Sequence, residues 1–186
     1  MKRVMSSCMI IVLIANLYGM HPEQRQDAQH VLIDEEMVNR LRVISDTQDF
    51  FQAAMQGNIA RVRSLIERNG INPNVRGAHD CTALHCAVQA NHLNVVLYLL
   101  EKGADKDALT NDNNTPLHFA ALKGHFDLVQ KLKARGANIG VRNKGGELPA
   151  DVARGNNHTA IVQLLEQEEP MALDQSGEAM VVENFQ

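Results

Sequence analysis

A chain of 186 residues is long enough for one domain with a real core and too short for two comfortable ones. Hydrophobic residues make up 45%, which excludes a disordered composition; Trp is absent and aromatics reach only 4%, which favours closely packed aliphatic helices over an aromatic sandwich core. The net charge of −4 is concentrated in a tail: no Lys or Arg follows Arg154, and with that tail, Lys2 and Arg3 set aside, 16 basic residues face 16 acidic ones, a balance that argues against nucleic acid as the main ligand.

The chain opens on Lys2 and Arg3, then an apolar run from Met9 to Leu17 broken only by Asn16, then Tyr18-Gly19. A positive start, a short apolar stretch and a small-residue exit are the parts of an export signal, so residues 1–20 are expected to be a signal peptide. The run is short for a membrane span, so no membrane insertion is expected once the signal is removed. An uncleaved segment that tethers the chain to the membrane is the alternative. Either way the body is placed outside the cytoplasm, periplasmic or secreted. Beyond the signal the cysteines are Cys81 and Cys86. Five residues apart near a helix start, they are poorly placed to bridge, and read as small hydrophobes or, at Cys81, as a free thiol.

Residues 21–45 combine a polar linker with an apolar stripe of Val31, Met37, Val38, Leu41 and Ile44. That is the pattern of an amphipathic helix, expected to cap the domain that begins at residue 46. From there a 33-residue period governs the sequence. Thr82-Ala83-Leu84-His85-Cys86-Ala87 becomes Thr115-Pro116-Leu117-His118-Phe119-Ala120 one period on, and Leu148-Pro149-Ala150-Asp151-Val152-Ala153 after another. Stepping back 34 gives Gln48-Asp49-Phe50-Phe51-Gln52-Ala53, with the extra residue near Asn69.

A second set recurs in step: Val62, Leu65 and Ile66, then Val96, Leu99 and Leu100, then Val129 and Leu132, then Val162 and Leu165. Its i, i+3, i+4 spacing is a buried helical stripe. Between the two sets stand Gly57, Asn91, Gly124 and Asn157, the residue types that most readily turn left-handed. Each unit is therefore expected to be two helices joined by one tight turn. Gly103 and Gly136 fit the position just past the second helix. Thr82 and Thr115 can cap the first helix and Pro116 suits its first position. Leu148 cannot cap, so the fourth unit's helix start is expected to be weaker.

Thr-Pro-Leu-His-x-Ala at 115–120, Gly-His at 124–125 and Gly-Ala at 136–137 resemble the ankyrin repeat. The resemblance covers about residues 46–168, in units of about 46–79, 80–112, 113–145 and 146–168, the middle two clear and the outer two divergent. It implies an all-α solenoid of helix-turn-helix units with projecting β-turn fingers. Outer units of such a stack are atypical because one face meets solvent. Residues 169–186 are expected to be an acidic, disordered tail.

His79, Cys81, His85 and Cys86 form the one cluster of metal-ligand types, but their spacing misses the zinc patterns. The resemblance implies instead that His85 and His118 are struts between units, and Cys86 shares the apolar column of Phe119 and Val152. His92, His125 and His158 also recur at the period, too far apart to share one ion. The sequence has no G-x-S-x-G elbow and no glycine-rich phosphate loop. The expectation is a chain with no catalytic activity, no cofactor and no metal.

Residues that vary while the frame stays fixed are the candidates for binding. The resemblance implies that fingertips and the inner faces of first helices meet a protein partner. Here the fingertip positions are Arg76, Ala78 and His79, then Leu109, Asn111 and Asp112, then Arg142 and Lys144. The inner-helix positions are Gln89 and Ala90, then Leu122 and Lys123, then Arg154 and Asn156. Leu109, apolar among polar neighbours, is the expected hot spot. The expected function is a monomeric interaction module, exported, with a host-directed role as its subclass. A structural or protective accessory protein of a periplasmic envelope assembly is the alternative.

Overall fold

The computed structural model describes residues 35–167; the expected signal, the linker before residue 35 and the tail from residue 168 lie outside the described residues. Among the described residues there are eight α-helices and no strand: α1 Glu35–Met55, α2 Ile59–Glu67, α3 Ala83–Gln89, α4 Leu93–Glu101, α5 Pro116–Lys123, α6 Phe126–Ala134, α7 Pro149–Gly155 and α8 Thr159–Glu166. Two compact units divide at Ser45, inside α1. The helix expected over 31–44 is thus not a separate element, because no glycine or proline between Ile44 and Phe50 stops it. In the first unit Met37, Leu41, Val43 and Ile44 are all exposed.

The second unit is the repeat body. First helices α3, α5 and α7 pack on one another in one row; among the second helices α2 packs on α4 and α6 on α8. Short helices of seven to nine residues are marginal alone, so their stability comes from this packing. The buried residues are the periodic ones: Leu84 and Leu117 in the first helices, and Val62 with Leu65, Val96 with Leu99, and Val129 with Leu132 in the second. Each such aliphatic side chain contributes about 1.5–3 kcal/mol on burial. In the last repeat the buried pair is Ile161 and Leu165, while Val162 is only half-buried. Ile161 repeats the buried positions of Val95 and Leu128, so the stripe there is narrowed by the partial exposure of Val162.

The turn column behaves as its chemistry requires. Gly57, Asn91, Gly124 and Asn157 have φ of 72°, 62°, 73° and 62°. After α4 and α6 the chain closes in a Schellman pattern: Ala104 N–H donates to the Leu99 carbonyl and Gly103 N–H to Leu100, with Ala137 and Gly136 repeating it on Leu132 and Lys133. After α2 the outer bond runs from Ile71 N–H to Leu65, one residue longer. That places the extra residue of the first repeat beside Asn69, whose amide donates to Asp46 at 2.8 Å.

The turn glycines also make room for a neighbour. His92 Nε2 donates to the Met55 carbonyl at 2.9 Å, and His125 and His158 reach Gln89 and Leu122 at 3.3 Å. Each imidazole thereby caps the first helix of the preceding repeat. A Cβ on Gly57 would stand 2.5 Å from the His92 ring, and one on Gly124 2.6 Å from the His158 ring. Substituting Gly124→Val combines left-handed strain with this collision and should cost about 2–3 kcal/mol in urea denaturation. Gly124→Asn should cost less, since Asn91 and Asn157 occupy the same backbone position. Equal costs for the two variants would remove the turn assignment.

Candidate functional site

Three fingers project between the helix pairs, each closed by a backbone bond: Gly77 N–H to Cys81, Thr110 N–H to Asn114 and Asn143 N–H to Glu147, at 2.8–3.1 Å. Their tips turn left-handed at one periodic position, occupied by Asp80, Asn113 and Gly146 with φ of 57°, 57° and 78°. In the first finger His79 is left-handed as well, at φ 56°. Neighbouring fingers are joined main chain to main chain: Asn111 N–H donates to His79 at 3.0 Å and Lys144 N–H to Asp112 at 2.9 Å. The tips are therefore held in register.

A polar column at the finger bases is absent from the sequence expectation. Asn72, Asp105 and Asn138 each accept from the backbone two residues on, and Asn74 and Asp107 accept across the joint from Asp105 N–H and Asn138 N–H at 2.7 Å. The signal for it lies in Asn72-x-Asn74, Asp105-x-Asp107 and Asn138-x-Gly140. Its pattern is the Asx turn, in which a short polar side chain accepts from nearby backbone.

Two buried histidines hold the joints from inside. Thr82 N–H donates to His85 Nδ1 at 3.2 Å, which assigns the ring proton to Nε2, and Nε2 donates to the Asn114 carbonyl at 3.2 Å. His118 repeats this between Thr115 N–H and the Glu147 carbonyl. Both rings are thus committed on both nitrogens, and His85 offers no lone pair to a metal. Burial lowers the pKa of both, that of His85 to about 4. In the fourth repeat Asp151 stands at this position and its carboxylate accepts from Leu148 N–H at 3.0 Å. The weak helix start expected at Leu148 is offset by this bond.

Of the fourteen expected binding residues, Arg76, Ala78, His79, Gln89, Leu109, Asn111, Asp112, Leu122, Lys123, Arg142, Lys144, Arg154 and Asn156 are exposed, and Ala90 is half-buried. They differ in what their side chains already do. Arg76 donates to the Leu109 carbonyl at 2.6 Å and Arg142 to Gly146, so both arginines brace fingers. Arg154 pairs with Asp151 and with Glu166, tying α7 to α8. Phe119, Leu122 and Val152 line a groove of about 200 Å³ between the third and fourth repeats, closed on the finger side by Asn114, Asn143 and Glu147.

Cys81 and Cys86 are unbridged thiols, and burial raises the pKa of both, that of Cys86 to about 11, so both are protonated at neutral pH. Among the described residues no three His, Cys, Asp or Glu side chains converge as a metal site, and no helix is long and apolar enough to cross a membrane.

A family model for ankyrin repeats, in three copies, matches residues 50–143, half of the chain. The chain belongs to the ankyrin-repeat family, whose repeats form a protein–protein interaction module. It is 43% identical over 63 residues to alpha-latrocrustotoxin-Lt1a of Latrodectus tredecimguttatus, a match covering 34% of this chain and 4% of the toxin. It is 43% identical over 60 residues to human ankyrin repeat domain-containing protein 40, covering 32% and 16%. It is 39% identical over 66 residues to palmitoyltransferase Hip14 of Drosophila melanogaster, covering 36% and 10%. The matched segment thus spans from 4% to 16% of these relatives.

The struts make stability depend on pH. Unfolded, His85 protonates near its ordinary 6.5; folded, it stays neutral down to about 4. The unfolded state therefore binds more protons in between, and stability present above pH 6.5 is lost as pH falls toward 4. For His85 alone the loss amounts to about 3 kcal/mol. Urea midpoints from pH 7.5 to 4.5 should fall steeply in the native chain and less steeply in His85→Asn. Parallel profiles would remove His85 as the cause.

Proposed function

We propose that this ankyrin-repeat protein binds another protein across its fingertips and the inner faces of its first helices, as an exported, monomeric, non-catalytic module. The observation that carries the reading is the main-chain bonding between fingers, His79 to Asn111 and Asp112 to Lys144. It fixes exposed, variable side chains at repeat spacing on a surface that is ordered before any partner arrives, so little entropy is lost on binding. Leu109, 38% exposed at a fingertip, is the apolar contact of that surface. Export rests on residues 1–20, and a host-directed partner is inferred from export by analogy.

The double variant Leu109→Asp with Lys144→Glu leaves the bracing arginines untouched. It should abolish capture of partner proteins from envelope or host extracts, with a melting midpoint within about 2 °C of the native one. Undiminished capture would take binding away from the fingers. N-terminal sequencing of chain recovered outside the cytoplasm should begin near residue 20; an intact Met1 there would identify an uncleaved tether.

A further inference from the structure

The apolar lining of the inner slot between the third and fourth repeats is set by two periodic columns. Cys86, Phe119 and Val152 form one column, and Gln89, Leu122 and Gly155 the other. The slot between the third and fourth repeats takes Phe119 and Leu122 from α5 and Val152 from α7, an all-hydrocarbon set. The corresponding positions one repeat earlier are Cys86, Gln89 and Phe119, and one earlier still Gln52, Met55 and Cys86. Only the later joint combines three large hydrocarbon side chains. Its volume of about 200 Å³ is below the roughly 300–1,000 Å³ of small-molecule sites and matches one inserted side chain. Leu122 is 42% exposed, so the slot opens to solvent.

The rim is charged on one side. Glu147 lines the slot, where its carboxylate accepts from Asn143 Nδ2 at 3.0 Å. Among the described residues no Lys or Arg forms an ion pair with it. Lys123 and Lys144 are exposed nearby in sequence, but neither lines the slot. His118 lines it as a neutral ring with both nitrogens occupied. An apolar cleft beside one carboxylate is complementary to an apolar side chain beside a cation.

We infer that the slot between the third and fourth repeats receives one aliphatic or aromatic side chain of a partner polypeptide, with Glu147 pairing to a lysine or arginine adjacent to it. The inference rests on the protein-binding reading of the fingers and first helices, and adds the chemistry of the recognised element. Leu122 is the anchor contact and Glu147 sets the sign of the neighbouring charge.

The test is selection of random dodecapeptides displayed on phage against the full-length chain, followed by fluorescence polarisation with the selected peptide. Enriched sequences should place Leu, Ile, Phe or Met next to Arg or Lys. Leu122→Ser should weaken the peptide at least ten-fold, and Glu147→Lys at least five-fold. Changing the peptide's cation to Glu should restore binding to Glu147→Lys, a rescue that general damage to the fold would not give. Peptides indifferent to both variants but lost with Leu109→Asp would overturn the slot and leave the finger reading standing. No enrichment above a blank surface would overturn both. A synthetic peptide of residues 168–186 that competes as well as the selected one would assign the slot to the chain's own C-terminal segment and overturn the inference.

Discussion

A donated imidazole proton at the joints after the second and third repeats is the contact on which the repeat body depends. His85 and His118 sit at the third position of α3 and α5, where each accepts from the backbone that starts its own helix and donates to the carbonyl that ends the next finger. One ring therefore fixes a helix start and the distance to the next repeat together. The bonding is made in a buried setting, 1% exposed at His85 and 2% at His118, where an unmet donor would cost about 1–3 kcal/mol. Thr82 and Thr115 are buried for the same reason, as the partners that complete the ring's bonding.

The second histidine column works at the opposite end of each joint. His92, His125 and His158 cap the last carbonyls of the preceding first helix, and the turn glycines at 57 and 124 let the ring approach. With the finger ladder on one side and these caps on the other, a repeat is pinned to its neighbour at both ends of its first helix. Partner-facing residues can then vary with little effect on the frame. Leu109, Lys144 and Leu122 stand on positions whose main chain is already bonded, at the Arg76 strut, the Asp112 bond and the His158 cap respectively.

Much of this was legible in sequence because backbone chemistry leaves few residue choices. Left-handed turns admit Gly and Asn, so Gly57, Asn91, Gly124 and Asn157 announced the helix pairs, and the aliphatic stripes announced which face is buried. The roles that escaped depend on a neighbour one period away. The acceptor roles of Asn74 and Asp107 emerge only with the next repeat's N–H groups in place. Gly124 carried a steric role visible only once His158 lies over it. Arg76 and Arg142, named as candidate partner contacts, also brace the fingers through guanidinium bonds to finger carbonyls. The boundary of α1 was lost for a different reason: Ser45, Asp46 and Thr47 could begin a helix, but with no breaker the existing one runs through them.

The column of Phe51, His85, His118 and Asp151 shows how one position records where a repeat lies in the stack. In the first repeat Phe51 fills it; its ring packs so close to Gly77 that a Cβ there would be 2.9 Å away, so at this position the contact is apolar. In the middle repeats the histidines reach forward to the next finger. In the fourth, Asp151 has too short a side chain to span a joint and turns back to Leu148 N–H and to Arg154. The same repeat leaves Val162 half-buried, and Lys133 of the third repeat reaches over to bond the Leu164 and Gln167 carbonyls at its end. The divergence of the outer repeats is therefore not simple decay of the motif. Each departure replaces a two-sided strut by a contact suited to the neighbour that the position has.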